Sequence, residues 1–568
     1  MKYSLWLAFV VLLVRFGSDV AAQQPTLPPV MRAVFESDRP AEPKRQIDRL
    51  VFQSFSELGI EPVLCSDCVF IRRAYLDTIG CLPTAAEVRA FLADTDVKTK
   101  RIRLIDQLLE RDEFADYWAM KWGDALRIKA EFPINLWPNA AQAYHHWVRD
   151  SIAQNKPYDQ FARELLTSSG SNFRVPEVNF YRAVQNKTPE GIASAVALTF
   201  MGCRTDSWSP VKLEGMAAFF SQIGYKPTAE WKEEIVFWDP LHQSVDASNV
   251  APGSAVPGEI ATSDQTADSP KTDTTLHSIV QPTMATFPDG KTVNLSSQAD
   301  PRIEFAAWLI RDDNPYFART AVNRVWAWLL GRGLVQPADD FRADNPPIHP
   351  ELLAYLESEF VKSHYDLKSL YRLILTSEIY QFSSVSNVAA TGDKSRSVAE
   401  LANYPLQRLD AEVLIDAINQ ITGSNDLYTS AIPEPFTYIP RGQPAVSIAD
   451  GSITSPFLAL FGRSARATGM ADERSNKPVP AQWLHLLNSS HIQEKLEKGP
   501  KLRELFAANQ KPQQTIEELY LTILSRHPSE AEISVALTYP NNRQRFRRED
   551  WIDISWALIN STEFLYRH

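Results

Sequence analysis

At 568 residues the chain is too long for one ordinary core, and roughly 100–200 residues per domain gives an expectation of two to four domains. An apolar fraction of 44%, with 14 Trp, 18 Tyr and 28 Phe, excludes a chain that is disordered throughout. A formal charge of −11 argues against a surface for nucleic acid or anionic membrane.

The chain opens with Lys2, then an apolar run over 5–14, then Val20-Ala21-Ala22. A basic start, a short apolar core and small residues are the marks of a secretory signal peptide, here 1–22 with cleavage after Ala22. The run falls short of the about 20 apolar residues that span a bilayer, and Arg15 and Asp19 would sit badly in lipid. No later segment reads as a transmembrane anchor. The expected location is therefore periplasmic or secreted.

A Pro-rich leader follows, and the pattern then turns helical. Apolar residues at helical spacing predict helices over 47–58, from near Val69, and over 102–109, 144–152, 159–166 and 190–201. Thr84 with Glu87 three residues on is a capping box. This half reads as almost wholly helical to about Phe220. The stretch 241–278 is rich in Ser, Thr, Asp, Ala, Gly and Pro and reads as a linker or surface insertion. Pro288-Asp289-Gly290 lies between short β-prone runs and predicts a small hairpin over 286–295. Helices resume at Pro301, with a stripe at Ala318, Val322, Val325 and Leu329 that stops at Gly331, and with proline at N1 in His349-Pro350-Glu351. Further helices are expected over 409–421, 480–496, 516–524 and 551–564. The fold class is mainly α: an N-terminal helical domain over 47–238, a linker over 239–300 and a C-terminal helical domain over 301–568.

Chemistry is sparser. Zinc-type spacings, a Gly-x-Ser-x-Gly elbow and a phosphate-binding glycine loop are all missing, so neither a metal nor a cofactor is expected. The densest polar constellation is in the second half. Arg319, Asn323 and Arg324 share a helix, and Asp339, Asp340, Arg342, Asp344, Asn345 and His349 follow on a loop. Such a set suits acid–base work or ligand binding, and equally an ion-pair and capping network that fixes the loop, which is the reading favoured. Arg72, Arg73 and Asp77 form a smaller set of the same kind. Cys65 and Cys68 form a Cys-x-x-Cys at a helix start, where backbone N–H groups lower a thiol pKa, but the βαβ context of a thioredoxin is missing. The favoured reading is structural: the two are bonded to each other, or separately to Cys81 and Cys203. The adjacent His145 and His146 point to different faces of a helix, a poor metal pair that suits a surface or partly buried polar face.

Two sets of motifs carry a resemblance. The first is Phe70-Ile71-Arg72-Arg73-Ala74-Tyr75-Leu76-Asp77 with Ile79-Gly80-Cys81-Leu82-Pro83-Thr84, and Lys156-Pro157-Tyr158-Asp159. The second runs from Asn314-Pro315-Tyr316-Phe317-Ala318-Arg319 through Asn323-Arg324-Val325-Trp326 and Asp339-Asp340-Phe341-Arg342 to His349-Pro350-Glu351, then Phe461-Gly462-Arg463 and Leu486-Leu487-Asn488. Together they resemble a planctomycete secreted family in which two domains of unknown function often accompany a c-type cytochrome module. The resemblance implies export and a link to redox systems, and no established reaction. It also exposes two departures. Many members carry a Cys-x-x-Cys-His stretch before an Asp-x-Trp element, whereas here Cys203-Arg204 runs almost directly into Asp206-Ser207-Trp208. Members often place two cysteines before Glu-Arg-Ser, where this chain has Met470 and Asp472 before Glu473-Arg474-Ser475. Covalent haem is therefore not expected.

The leading functional expectation is a non-catalytic exported protein that binds a partner, either another exported protein such as a cytochrome or companion hydrolase, or a glycan. The first alternative is a secreted enzyme acting on an extracellular polysaccharide or its sulfated derivative through Arg319, Asn323, Asp339, Asp340, Arg342 and His349. The second is thiol redox through Cys65 and Cys68.

Overall fold

The computed structural model describes residues 34–131, 136–241, 284–385, 400–433, 435–508, 510–539 and 546–568. The expected signal peptide and most of the Ser/Thr/Pro-rich stretch lie outside these residues. The described chain is mainly α, and no helix in it is long and apolar enough to cross a membrane.

The local signals place the helices. Gln46–Leu58 ends at Gly59 in the left-handed conformation. Helix Asp67–Thr78 is capped by Ser66, whose hydroxyl accepts from Val69 N, and its residues from Val69 to Thr78 are all buried. The capping box of Thr84 and Glu87 starts Ala85–Ala93. Phe317–Leu330 stops at Gly331, whose φ of +75° lies in the left-handed region that favours glycine. Pro350–Lys362 has its proline at N1. The expected hairpin forms with Met284–Thr286 antiparallel to Thr292–Asn294.

Two features differ from expectation. The predicted helix over 480–496 is two helices, Pro480–Asn488 and Ser490–Lys498, because the Ser489 side chain accepts from Ile492 N and restarts the chain in a new direction. The first half also contains strands. Gly170–Ser171, Glu234–Trp238 and Ile223–Pro227 form a three-stranded antiparallel sheet with Glu234–Trp238 in the centre, and Glu36–Pro40 pairs with Val63–Cys65. Strands of two to five residues give too few alternations to stand out in a sequence.

The interior is continuous. Buried apolar side chains from Ile47 to Leu565 form one cluster, so the two halves of the sequence share a core. Aromatic residues knit them together: Trp118 packs on Tyr371 at 4.1 Å, Trp122 on Trp328 at 5.1 Å and Tyr158 on Phe317 at 4.9 Å between ring centroids. The C-terminal strand Tyr566–Arg567 pairs with Gln407–Arg408 and brings the chain end back under helix Asp67–Thr78.

Candidate functional site

The polar constellation of the second half resolves into several separate contacts. Arg319 Nε donates to Glu357 of the next helix at 2.5 Å. His349 caps helix Pro350–Lys362, its Nδ1 accepting from Leu352 N at 3.2 Å, while Nε2 lies 3.2 Å from Ser54 Oγ and 3.3 Å from Leu50 O on the first helix. The remainder surround Asp339. Asn323, fully buried, holds the loop from both sides: its Nδ2 donates to Val335 O and Ala338 O, and its Oδ1 accepts from Val335 N. Asp339 is only 1% exposed. Its Oδ1 accepts from Arg204 at 2.8 Å and its Oδ2 from Ala471 N at 2.8 Å. Asp340 pairs with Arg342 at 3.1 Å, and Arg342 lies 3.6 Å from Asp344. Arg324 donates to Thr199 O and Leu198 O at the end of the preceding half. The expected single cluster is thus a set of ties between segments. Its centre, Asp339, joins the segment at Cys203-Arg204 to the segment at Met470-Ala471-Asp472.

Arg72, Arg73 and Asp77 are interior connectors. Arg72 donates to Ile523 O at 2.8 Å and Phe564 O at 2.9 Å. Arg73 donates to His568 O and Phe382 O and stacks 3.7 Å from the Tyr404 ring. Asp77 accepts from Arg567 at 2.6 Å, Tyr404 Oη at 2.6 Å and Tyr380 Oη at 2.9 Å. A second buried network runs through helix Asp112–Ala125. Lys121 donates to Asp410 at 2.5 Å, and Asp124 accepts from Arg466 at 2.9 Å and from Arg474 at 2.8 Å. Arg474 also grips Glu412 with two bonds, 2.6 and 3.0 Å. Burial alone would raise the carboxyls of Asp410 and Glu412, but the cations around them win. Asp410 is held well below the carboxylate range by Lys121, Arg474 and Arg567, and Glu412 falls to about 2 beside Arg474 and Arg463.

The cysteine expectation is corrected. Cys65, Cys68, Cys81 and Cys203 are all free thiols. Cys65 is fully buried, and burial pushes the Cys68 thiol up to about 11, outweighing its place at a helix start. Burial likewise lifts Cys81 to about 12 and Cys203 to about 11. His145 is not a surface residue. It is 2% exposed, neither ring nitrogen has a partner, and burial depresses it to about 3. Among the described residues no group of three or more His, Cys, Asp or Glu side chains is placed to hold a metal ion.

Sequence reasoning missed an open cavity of about 510 Å³ where helices Pro480–Asn488 and Ser490–Lys498 meet the loop after Gly423. His485 and His491, on either side of the break at Ser489, line it together with Asp426 and Lys495. His491 Nε2 lies 2.8 Å from Asp426 Oδ1, and His485 Nε2 lies 3.3 Å from His491 Nδ1. Lys495 is 3.0 Å from the same Asp426 oxygen and also donates to Asn419 Oδ1 at 2.7 Å. A signal was present in the spacing: His491 and Lys495 are four apart on one helix, which stacks them on one face.

The fold and these junctions define a mainly helical protein of two sequence domains bound through one interior. Residues 46–206 match the PSCyt2 family model, described as a protein of unknown function (DUF1549), and residues 301–539 match the PSD1 family model, described as a protein of unknown function (DUF1553). The chain therefore carries a DUF1549 domain followed by a DUF1553 domain. No curated protein and no solved structure matches it.

Proposed function

We propose that this is an exported, non-catalytic binding protein that offers a rigid helical frame with an open cavity to an extracellular glycan or to another exported protein. The observation that supports this reading is the commitment of the polar loop. Arg319, Asn323, Asp339 and His349 each have a hydrogen-bond partner in the fold, and Asp340 and Arg342 pair with each other within the loop. An enzyme working through these groups would need at least one acid or base free to meet substrate. Thiol redox would need an accessible thiolate, and burial opposes one at Cys68. Export rests on the basic, apolar and small-residue succession of 1–22 and on the resemblance to a planctomycete secreted family. In this reading the chain brings no haem, and electron transfer belongs to a cytochrome partner.

The test uses the chain beginning at Gln23 and a panel of plain and sulfated polysaccharides. Affinity electrophoresis reads retention, and assays of reducing ends and free sulfate read turnover. Retention without product is expected. Product formation that disappears in Asp339→Asn would restore the enzyme reading.

A further inference from the structure

The hydrogen bonds in the cavity at His485 run in one direction when both imidazoles are neutral. Asp426 is a carboxylate held low by His491 and Lys495, although burial works against them, so it accepts and His491 Nε2 carries the proton that it receives. With His491 neutral its Nδ1 is an acceptor, and the hydrogen in the 3.3 Å contact comes from His485 Nε2. His485 Nδ1 is left with a lone pair and, among the described residues, has no protein donor. The chain of three groups thus ends in a hydrogen-bond acceptor at the cavity wall.

The charges are closed. Asp426 is balanced by Lys495, and Glu494 lies 3.3 Å from Lys498 at the rim. Lys495 is 6% exposed and also donates to Asn419 Oδ1, Ser424 Oγ and Asn425 O, so no cation is left over for an anionic group. The two histidines are joined through Nε2 and Nδ1, which leaves no second ring nitrogen to chelate a metal. Apolar residues complete the lining: Pro456, Phe457, which packs edge-on against both histidine rings, and Leu427 at 83% exposure. Asp426 Oδ2, on a side chain 8% exposed, has no hydrogen-bond partner. The volume lies in the range of small-molecule sites, about 300–1,000 Å³.

From this geometry we infer that the cavity binds a neutral polyhydroxylated ligand, a saccharide unit, with a ligand hydroxyl donating to His485 Nδ1 and the C–H face of the ring lying against Leu427 and Pro456. The inference rests on the binding reading above and adds its place and ligand class. Hydroxyl groups supply the donor that His485 lacks, and a neutral ring suits a cavity whose charges are already paired. The groups facing His485 are His491, Asp426, Lys495, Glu494 and Lys498. Burial depresses His485, which keeps its acceptor available at neutral pH.

The experiment titrates the chain beginning at Gln23 with short neutral oligosaccharides of glucose, xylose, mannose and N-acetylglucosamine, and with sulfated and uronic counterparts. Calorimetry reads affinity, and long-range 15N NMR reads the imidazole nitrogens. We expect at least one neutral series to bind and to shift His485 Nδ1. His485→Ala and Leu427→Ser, both at the cavity surface, should each weaken binding about tenfold, the scale of one lost hydrogen bond or apolar contact. Equal binding by His485→Ala would overturn the site while leaving the binding reading intact. Binding of sulfated or uronic ligands alone, or no binding across the panel, would overturn the ligand class. Consumption of a bound oligosaccharide would instead strike at the non-catalytic reading itself.

Discussion

Asp339 offers the sharpest test of whether the polar loop is structural. Asp339→Ala removes a 2.8 Å charge-assisted bond from Arg204 and a 2.8 Å bond from Ala471 N. Both bonds end on the carboxylate, and a hydrogen bond to a charged group contributes about 1.5–3 kcal/mol. Arg204, with its side chain 20% exposed, recovers part of its solvation, so the expected loss is about 3 kcal/mol. At about 2.1 cal/mol/K of unfolding entropy per residue, a cooperative unit of about 500 residues loses about 3 °C in Tm for that change. Asp339→Asn retains one acceptor oxygen but turns an NH2 toward Arg204 or Ala471 N, and should cost about 1–2 kcal/mol. Arg204→Ala should be at least as damaging as Asp339→Ala, because it strands a carboxylate that is only 1% exposed. Urea midpoints of the two single variants and the double variant give the coupling directly. An Asp339→Ala protein that melts with the wild type but no longer binds or turns over a glycan would refute the reasoning, since the carboxylate would then be kept for function.

Other consequences follow from the buried networks. Asp77→Ala leaves Arg567, 5% exposed, without its anion and two tyrosine hydroxyls without their acceptor, and should cost about 3–5 kcal/mol by urea denaturation; a loss below about 1 kcal/mol would mean that the contact is not holding the chain end. Glu412 sits at about 2, below its ordinary 4.5, so its contribution is complete above pH 4.5 and drains away as pH falls toward 2, a total of about 3 kcal/mol. Glu412→Gln should flatten that part of the acid-stability profile, and an unchanged slope would assign acid sensitivity elsewhere. With thiols at about 11 or 12, Cys68, Cys81 and Cys203 should resist iodoacetamide at pH 8 until the chain unfolds, as mass spectrometry of native and urea-treated protein would register. Alkylation of native Cys68 at the rate of a free peptide thiol would contradict the burial argument.

Much of the helical frame was legible because its signals are local. Thr84 with Glu87, the glycines that end helices at 331 and 423, and Pro350 after His349 act over three or four residues, and each does what its local chemistry dictates. The partners of Arg72 and Asp77 were not legible, since they lie hundreds of positions away and a motif such as Phe70-Ile71-Arg72-Arg73 does not name its acceptors. The cysteines misled for a related reason: the Cys-x-x-Cys spacing suggested bonded thiols, whereas the fold leaves all four free, and the burial that suppresses Cys68 comes from the whole fold. The cavity stayed hidden because one continuous apolar pattern over 480–496 masked the break at Ser489, and that break is what turns His485 and His491 toward each other.

The most direct test of the central claim is a mass balance on a bound polysaccharide. The chain beginning at Gln23 is held with a retained glycan through prolonged incubation, and the chain length and sulfate content of that glycan are then measured by size-exclusion chromatography and ion chromatography. A glycan that stays bound and chemically unchanged is the predicted result. Shortening or desulfation that tracks the amount of protein and vanishes in Asp339→Asn would contradict it.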